Sequence, residues 1–361
     1  MRADEGGIVS IIETEEPVCV RTNGASTAVQ MLELRNVVVS YETDRGLITP
    51  VDDVSLSISR GETLGLVGES GCGKSTLGRA ILQLARARQG SVRLEGEELT
   101  TKSASELRPL RKDLQVIFQD PRGSLDPKMN VRDIVAEPLV VHKMGNRAAV
   151  RTRADSMLTS VGLDPSLGSR KPGQLSGGQQ QRVGIGRALI TEPKLVVCDE
   201  PVSALDVSVQ AQVINLLQDL KERTGVGYLF ISHNLAVVRH LADRVAVMYL
   251  GRIVEQGPAH EVFARPLHPY TRSLLASVLR ADVDAPARLH EMRDHVRGDV
   301  PNLANVPSGC RFNPRCPFAT EECRTTMQGL APVEGDHAND HQVACHRWRE
   351  IEPMPEVYRA K

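Results

Sequence analysis

Gly68-Glu69-Ser70-Gly71-Cys72-Gly73-Lys74-Ser75-Thr76 is the stretch from which the rest of the chain is read. It has the form G-x-x-x-x-G-K-[ST] of a phosphate-binding loop. An apolar run, Thr63 to Val67, precedes it and a helix-like run, Lys74 to Leu84, follows, which is the strand, loop and helix setting the motif needs. Its glycines let the backbone fold back until successive N–H groups point inward at a phosphate. The start of the helix adds the positive end of its dipole. The expected contacts are Gly68, Ser70, Gly71, Gly73 and Thr76 in the loop, with Lys74 reaching the β- and γ-phosphates and the Ser75 hydroxyl on Mg²⁺. The plain alternative is a glycine-rich turn capping an ordinary helix.

Working outward, Leu195-Val196-Val197-Cys198 is an unbroken apolar run ended by Asp199-Glu200. In an open sheet, an acidic residue at the carboxyl end of a buried strand sits beside such a loop. Asp199 is the candidate for holding Mg²⁺ through water, and Glu200 for polarising an attacking water as general base. Leu175-Ser176-Gly177-Gly178-Gln179 precedes another helical run, Gln180 to Ile190. Ser176 can cap that helix while the glycines leave N–H groups open to an anion. One nucleotide rarely needs two anion loops from one chain, so this loop is expected to serve a nucleotide held by another subunit. Gln119 closes the strand-like run Leu114 to Phe118, and its amide can sense Mg²⁺ and the water. His233, after Gly227 to Ile231, can hydrogen-bond a γ-phosphate. Tyr41 can stack on adenine. Singly, each of these is also compatible with an ordinary surface turn residue.

Further strand-like runs are Leu32 to Val39, Val54 to Ile58 and Gly90 to Leu94, whereas Val207 to Lys221 reads as a helix. Residues 131–163 read as helices broken near Gly145 and Gly162. Alternating strands and helices imply an α/β fold with a mainly parallel sheet. Hydrophobic residues make up 41% of the 361, enough for a buried core, and aromatics only 3%, so aliphatic side chains must carry the packing. A net charge of −1 gives no global field favouring nucleic acid. No apolar stretch approaches a membrane span, and the start of the chain lacks the pattern of a signal peptide. The expected location is therefore the cytoplasm, where the seven cysteines stay reduced. Residues 1–30 read as a mobile tail, and from Pro258 onward frequent prolines and clustered cysteines mark a C-terminal appendage.

Taken in order, these motifs resemble the ATP-binding-cassette ATPases over most of residues 31–260. Gly68 to Thr76 matches that family's Walker A loop, Leu195 to Glu200 its Walker B, and Leu175 to Gln179 its signature loop, LSGGQ. Ser203-Ala204-Leu205-Asp206 resembles the D-loop, Gln119 the Q-loop residue, His233 the switch histidine and Tyr41 the A-loop aromatic. The resemblance implies a P-loop cassette with a parallel core sheet, an antiparallel β part and a helical subdomain near 120–175. It also implies two cassettes closed head to tail on two ATP molecules, with Asp206 reaching across.

Phe118 to Pro127, His268 to Leu275 and Gly309 to Pro317 carry a narrower resemblance, to the oligopeptide and dipeptide importer ATPases, with 118–138 closer to their F-type than their D-type subunit. Implied partners are a second ATPase, identical or a sister, two membrane permeases and, through them, an extracytoplasmic peptide-binding protein. The location implied is peripheral, on the inner face of the plasma membrane. Cys310, Cys316, Cys323 and Cys345 are not spaced as a zinc ribbon; four thiolates suit an iron–sulfur cube, with Arg311, Arg315 and Arg324 offsetting its charge. Some members of the family hold a 4Fe–4S cluster on these cysteines. Zinc is the alternative, since His337, His341 and His346 lie near Cys345, and four free thiols is the other. Cys19, Cys72 and Cys198 look incidental. The competing functions are a soluble cassette protein acting on nucleic acid, against which stand the single cassette and the lack of a heptad run or basic block, and a subunit of a phosphonate-degrading complex, against which stands the cysteine region.

Overall fold

The computed structural model of the chain describes residues 30–44, 46–278, 301–333 and 340–351. Apart from Gln30, the tail expected over residues 1–30 lies outside the described residues, as do Cys19 and His337.

A long antiparallel pair, β1 (Gln30–Thr43) and β2 (Gly46–Ser59), comes first. β3 (Thr63–Val67) runs through the phosphate loop into α1 (Lys74–Ile81). β4 (Gln89–Leu94) and β5 (Glu97–Glu98) complete a four-stranded antiparallel sheet in the order β2-β1-β4-β5. After a single turn of helix, α2 (Ala104–Leu107), β6 (Leu114–Ile117) leads to a helical layer of α3 (Val131–Val141), α4 (Arg147–Ser160) and α5 (Gly177–Leu189). The chain then alternates through β7 (Leu195–Asp199), α6 (Val207–Thr224), β8 (Gly227–Ser232), α7 (Leu235–Leu241) and β9 (Arg244–Tyr249). β10 (Arg252–Pro258), α8 (Ala259–Ala264) and α9 (Pro269–Val278) follow. Beyond residue 300 come α10 (Glu321–Thr325), β11 (Ala331–Pro332) and β12 (Gln342–Val343).

The second sheet has eight strands in the order β11-β12-β10-β9-β3-β8-β7-β6, and β9, β3, β8, β7 and β6 are parallel neighbours. Period-2 alternation sends side chains to two cores. Val196, Cys198, Tyr228, Phe230, Val245 and Val247 face the helical layer, whereas Leu195, Val197, Leu229, Ile231, Ala246 and Met248 face α1 and the antiparallel sheet. Fully burying one such aliphatic side chain is worth about 1.5–3 kcal/mol. These parallel strands are thus fixed from both sides. Register aligns Val67 with Ser232, Asp199 with Ile231, and Ile117 with Cys198. Four strands therefore end level, and the residues that follow them meet at one edge.

The C-terminal region is stitched onto this sheet: β12 pairs antiparallel with β10. Fully buried Glu255 on β10 accepts hydrogen bonds from the Leu267 and His268 amides at 2.8 and 2.9 Å and contacts His341 Nε2 at 2.9 Å. It pins the His268-Pro269-Tyr270 segment that opens α9. Burial pushes the His268 imidazole down to about 4, so its neutral Nδ1 accepts the Tyr270 amide at 3.0 Å. Aromatics are rare in the chain, yet Tyr249, Tyr270 and Phe312 form one cluster where this region meets the core, with Tyr249 and Tyr270 centroids 4.5 Å apart.

Candidate nucleotide site

The phosphate loop leaves β3 through backbone only glycine tolerates. Gly68 has φ +155° and Gly73 φ +111°; a Cβ would stand 2.2 Å from the Met248 carbonyl oxygen at the first and 1.9 Å from that of Pro50 at the second. Gly73 is also the N-cap of α1. Lys74, only 5% exposed, folds its ammonium back onto the loop and donates to the Gly68 and Glu69 carbonyls at 2.8 and 2.9 Å. A triphosphate would exchange those acceptors for charged oxygens, to which hydrogen bonds are stronger.

Ser75 Oγ donates to Asp199 Oδ1 at 2.9 Å, so the two residues expected on Mg²⁺ already touch. A hydroxyl and one carboxylate, with phosphate oxygens and water completing the octahedron, suit Mg²⁺. Burial, with the Glu200 charge, lifts the Asp199 carboxyl above its usual range against the Ser75 hydrogen bond and the Arg79 and Lys74 charges. A cation there would reverse that balance.

Glu200 is held by two side chains. His233 Nδ1 lies 3.0 Å from Oε1, and Gln119 Nε2 donates to Oε2 at 2.9 Å. Its backbone is left-handed, φ +47°, an uncommon setting for a glutamate. Such strain persists where surrounding contacts over-determine it, and here the Glu200 amide donates to the Ile231 carbonyl at 3.0 Å. Gln119 and His233, expected to address Mg²⁺ with water and the γ-phosphate respectively, both contact this one carboxylate. The arrangement can orient a base toward a water beside the loop. Tyr41 on β1 is 39% exposed.

The signature loop is built as a helix start. Ser176 Oγ accepts the Gln179 amide at 3.3 Å while Gln179 Oε1 accepts the Ser176 amide at 3.0 Å, a reciprocal capping box. Gly177 faces Leu205 and Gly178 packs against Val209. Among the described residues, no hydrogen bond joins this loop to the phosphate loop of the same chain. Asp206 caps α6 without a side-chain cap hydrogen bond, and Val207 beside it is 82% exposed.

The four cysteines do converge. Cys310, Cys316, Cys323 and Cys345 line one cavity of about 20 Å³, room for roughly one water molecule. The thiol chemistry suits iron or zinc, but the arrangement departs from expectation. Among the described residues, no group of three or more His, Cys, Asp or Glu side chains is placed to hold a metal. Burial pushes the Cys316 thiol up to about 12 and that of Cys345 to about 11, and raises Cys310 as well. The expected counterions are committed elsewhere: Arg311 binds Asp52 and the Leu250 carbonyl, Arg315 binds Glu69, and Arg324 pairs with Glu321 at 3.5 Å. Of the zinc candidates, His341 is occupied with Glu255, while His346 Nε2 lies 3.9 Å from Cys323 Sγ.

One set of contacts was not expected from the sequence. Arg315 Nη1 and Nη2 donate to the Glu69 carboxylate at 2.8 and 3.0 Å, and the Glu69 amide donates to Tyr270 Oη at 2.8 Å. Tyr270 belongs to the His268 to Leu275 motif, which marked the region but not its partner.

Comparisons with known proteins agree with this geometry. Residues 51–203 match the ABC transporter family, and residues 254–323 match the oligopeptide/dipeptide transporter C-terminal region. The chain is 48% identical over 325 residues to the oligopeptide transport ATP-binding protein OppF of Escherichia coli (strain K12), covering 87% of this chain and 95% of that one. It is 47% identical over 311 residues to a putative peptide import ATP-binding protein of Brucella ovis, covering 86% and 97%. Among solved structures, the dimeric ATP-binding cassette MJ0796 in a post-hydrolysis state with ADP and Pi matches at TM-score 0.59 and 31% identity, over 63% of this chain and 99% of that one. The cassette cbiO1 of Clostridium perfringens, part of the cbiONQ complex, matches at TM-score 0.60 and 26% identity, over 73% and 98%.

Proposed function

Because the chain belongs to the ABC transporter ATPases that carry the oligopeptide/dipeptide transporter C-terminal region, we propose that it is the ATP-hydrolysing subunit of a peptide importer. Two cassettes, this chain with a copy or a sister, close head to tail on two ATP molecules. Each nucleotide lies between one chain's phosphate loop and the other's Ser176 to Gln179. The observation that carries this reading is the division of the site. Ser75, Asp199, Glu200, Gln119 and His233 gather at one end of the strands, while among the described residues no hydrogen bond joins the second anion loop of the same chain to them.

In hydrolysis a water oxygen bonds to the γ-phosphorus, the bond to the β–γ bridging oxygen breaks, and ADP leaves. Glu200 takes the water proton, His233 and Gln119 orient that carboxylate, and Lys74 neutralises charge developing on the phosphates; Ser75 and Asp199 would hold Mg²⁺, which would supply further positive charge there. Asp206 reaches across the interface, where exposed Val207 offers apolar surface.

Closure is passed to the permeases through the segment after Gln119. Supporting this, the helical layer carries a cavity of about 850 Å³ lined by Asp133, Glu137, Val140 and Val141, with the two valines 63% and 51% exposed. No helix among the described residues is long and apolar enough to cross a membrane, which accords with a subunit held at the inner face by its permeases. The peptide-binding protein acts through those permeases and nucleic acid plays no part. Reconstitution of the full chain with its sister and permeases in liposomes tests the reading. ATP-dependent peptide uptake is expected. ATPase activity that is stimulated by nucleic acid, with no permease co-purifying, would replace it with a soluble cassette function.

We further infer a 4Fe–4S cluster on Cys310, Cys316, Cys323 and Cys345, supported by the convergence of four thiols on one cavity. The side chains must open outward to admit it. Full-length protein purified without oxygen is expected to be brown and to contain about four irons per chain. Stoichiometric zinc, or neither metal, counts against the cluster.

A further inference from the structure

Glu69 is an acidic residue in a loop built to receive a polyanion, and all three of its polar groups are occupied. Its carbonyl accepts from Lys74 Nζ at 2.9 Å, its amide donates to Tyr270 Oη at 2.8 Å, and its carboxylate is gripped by both Nη atoms of Arg315. Arg315 and Tyr270 both lie in the 254–323 stretch, outside the 51–203 cassette match. Neither is a loose surface residue. Tyr270 is 1% exposed within the aromatic cluster, and the Arg315 guanidinium lies 5.8 Å from the Tyr249 ring centroid and 5.7 Å from that of Phe312. Arginine's planar fork matches the carboxylate in two parallel bonds, fixing direction as well as charge.

We propose that Arg315 and Tyr270 are positioning residues for the nucleotide: they neutralise Glu69 and hold it outward so that the phosphate loop is open to ATP. Without Arg315, an unpaired carboxylate faces the incoming triphosphate and can turn onto Lys74. Without the Tyr270 hydroxyl, the Glu69 amide loses the acceptor that orients this end of the loop. The C-terminal region then serves as part of the ATP site.

The test is calorimetry of MgATP binding to the full chain in an E200Q background, where hydrolysis does not intervene. R315A is expected to weaken binding about tenfold, in line with loss of a charge-assisted bidentate contact. Adding E69Q to R315A is expected to bring affinity back to within about threefold of E69Q alone, because the harmful charge is gone. Y270F, which keeps the ring, is expected to weaken binding about threefold. With Glu200 intact, R315A is expected to raise KM for ATP and leave kcat within about twofold. If R315A does not fold, R315K with and without E69Q carries the same comparison, since lysine keeps the charge but loses the fork. Unchanged affinity in R315A, or a loss that E69Q fails to relieve, overturns the proposal and leaves Arg315 as a structural clamp only.

Discussion

Glu200→Gln is expected to leave MgATP binding within about twofold of the unaltered protein and to lower turnover by about a thousandfold, within the range general-base catalysis contributes. The substitution preserves shape and removes basicity. Both Glu200 oxygens are held, by His233 and Gln119, so the side chain has little freedom to find another role. Lys74, Ser75 and Asp199, which bind rather than accept the water proton, are untouched. Binding and chemistry should therefore separate, with ATP retained and the closed dimer accumulating. Calorimetry and phosphate release measure the two quantities, and a fall in turnover of less than tenfold would remove Glu200 from the base role.

Ser176→Arg is expected to cut hydrolysis at the partner's phosphate loop by about a hundredfold or more, while the altered chain's own loop binds MgATP within about threefold of normal. Ser176 caps α5 and holds its first turn in a reciprocal pair with Gln179. Arginine removes that cap, worth about 0.5–2 kcal/mol, and places a long side chain where the facing nucleotide should lie. Damage at a distance from the altered chain's own Lys74 is the signature of a shared site. Nucleotide binding by S176R and turnover by dimers containing one S176R chain check this. Equal damage to both sites would mean that the loop matters only for folding.

Much of the site was legible because its parts are local. Gly68 to Thr76 follows β3 directly, Asp199-Glu200 ends β7 and His233 follows β8, and unbroken apolar runs marked those strands. Parallel register then brings their ends level, which is why residues far apart in the chain meet. What stayed hidden depends on long-range placement. Arg315 and Glu69 are 246 residues apart, and contacts such as the pairing of β12 with β10 and the docking of Phe312 beside Tyr249 hold the C-terminal region where they meet. Arg311 and Arg315 sit beside cysteines in sequence and so read as counterions to a cluster, yet their side chains leave that pocket for Asp52 and Glu69. Four cysteines in one short region, together with the family resemblance, pointed to their convergence. Their spacing held no information on the space between the sulfurs, which packing against Phe312 and Phe318 decides.

The central claim, that two chains clamp each ATP between them, is tested most directly by the mass in solution of full-length E200Q protein, alone and mixed with its companion cassette, with and without MgATP. A shift from one chain to two that requires MgATP and is abolished by S176R is the predicted result. Unaltered protein that hydrolyses ATP at full rate while remaining a single chain would contradict it.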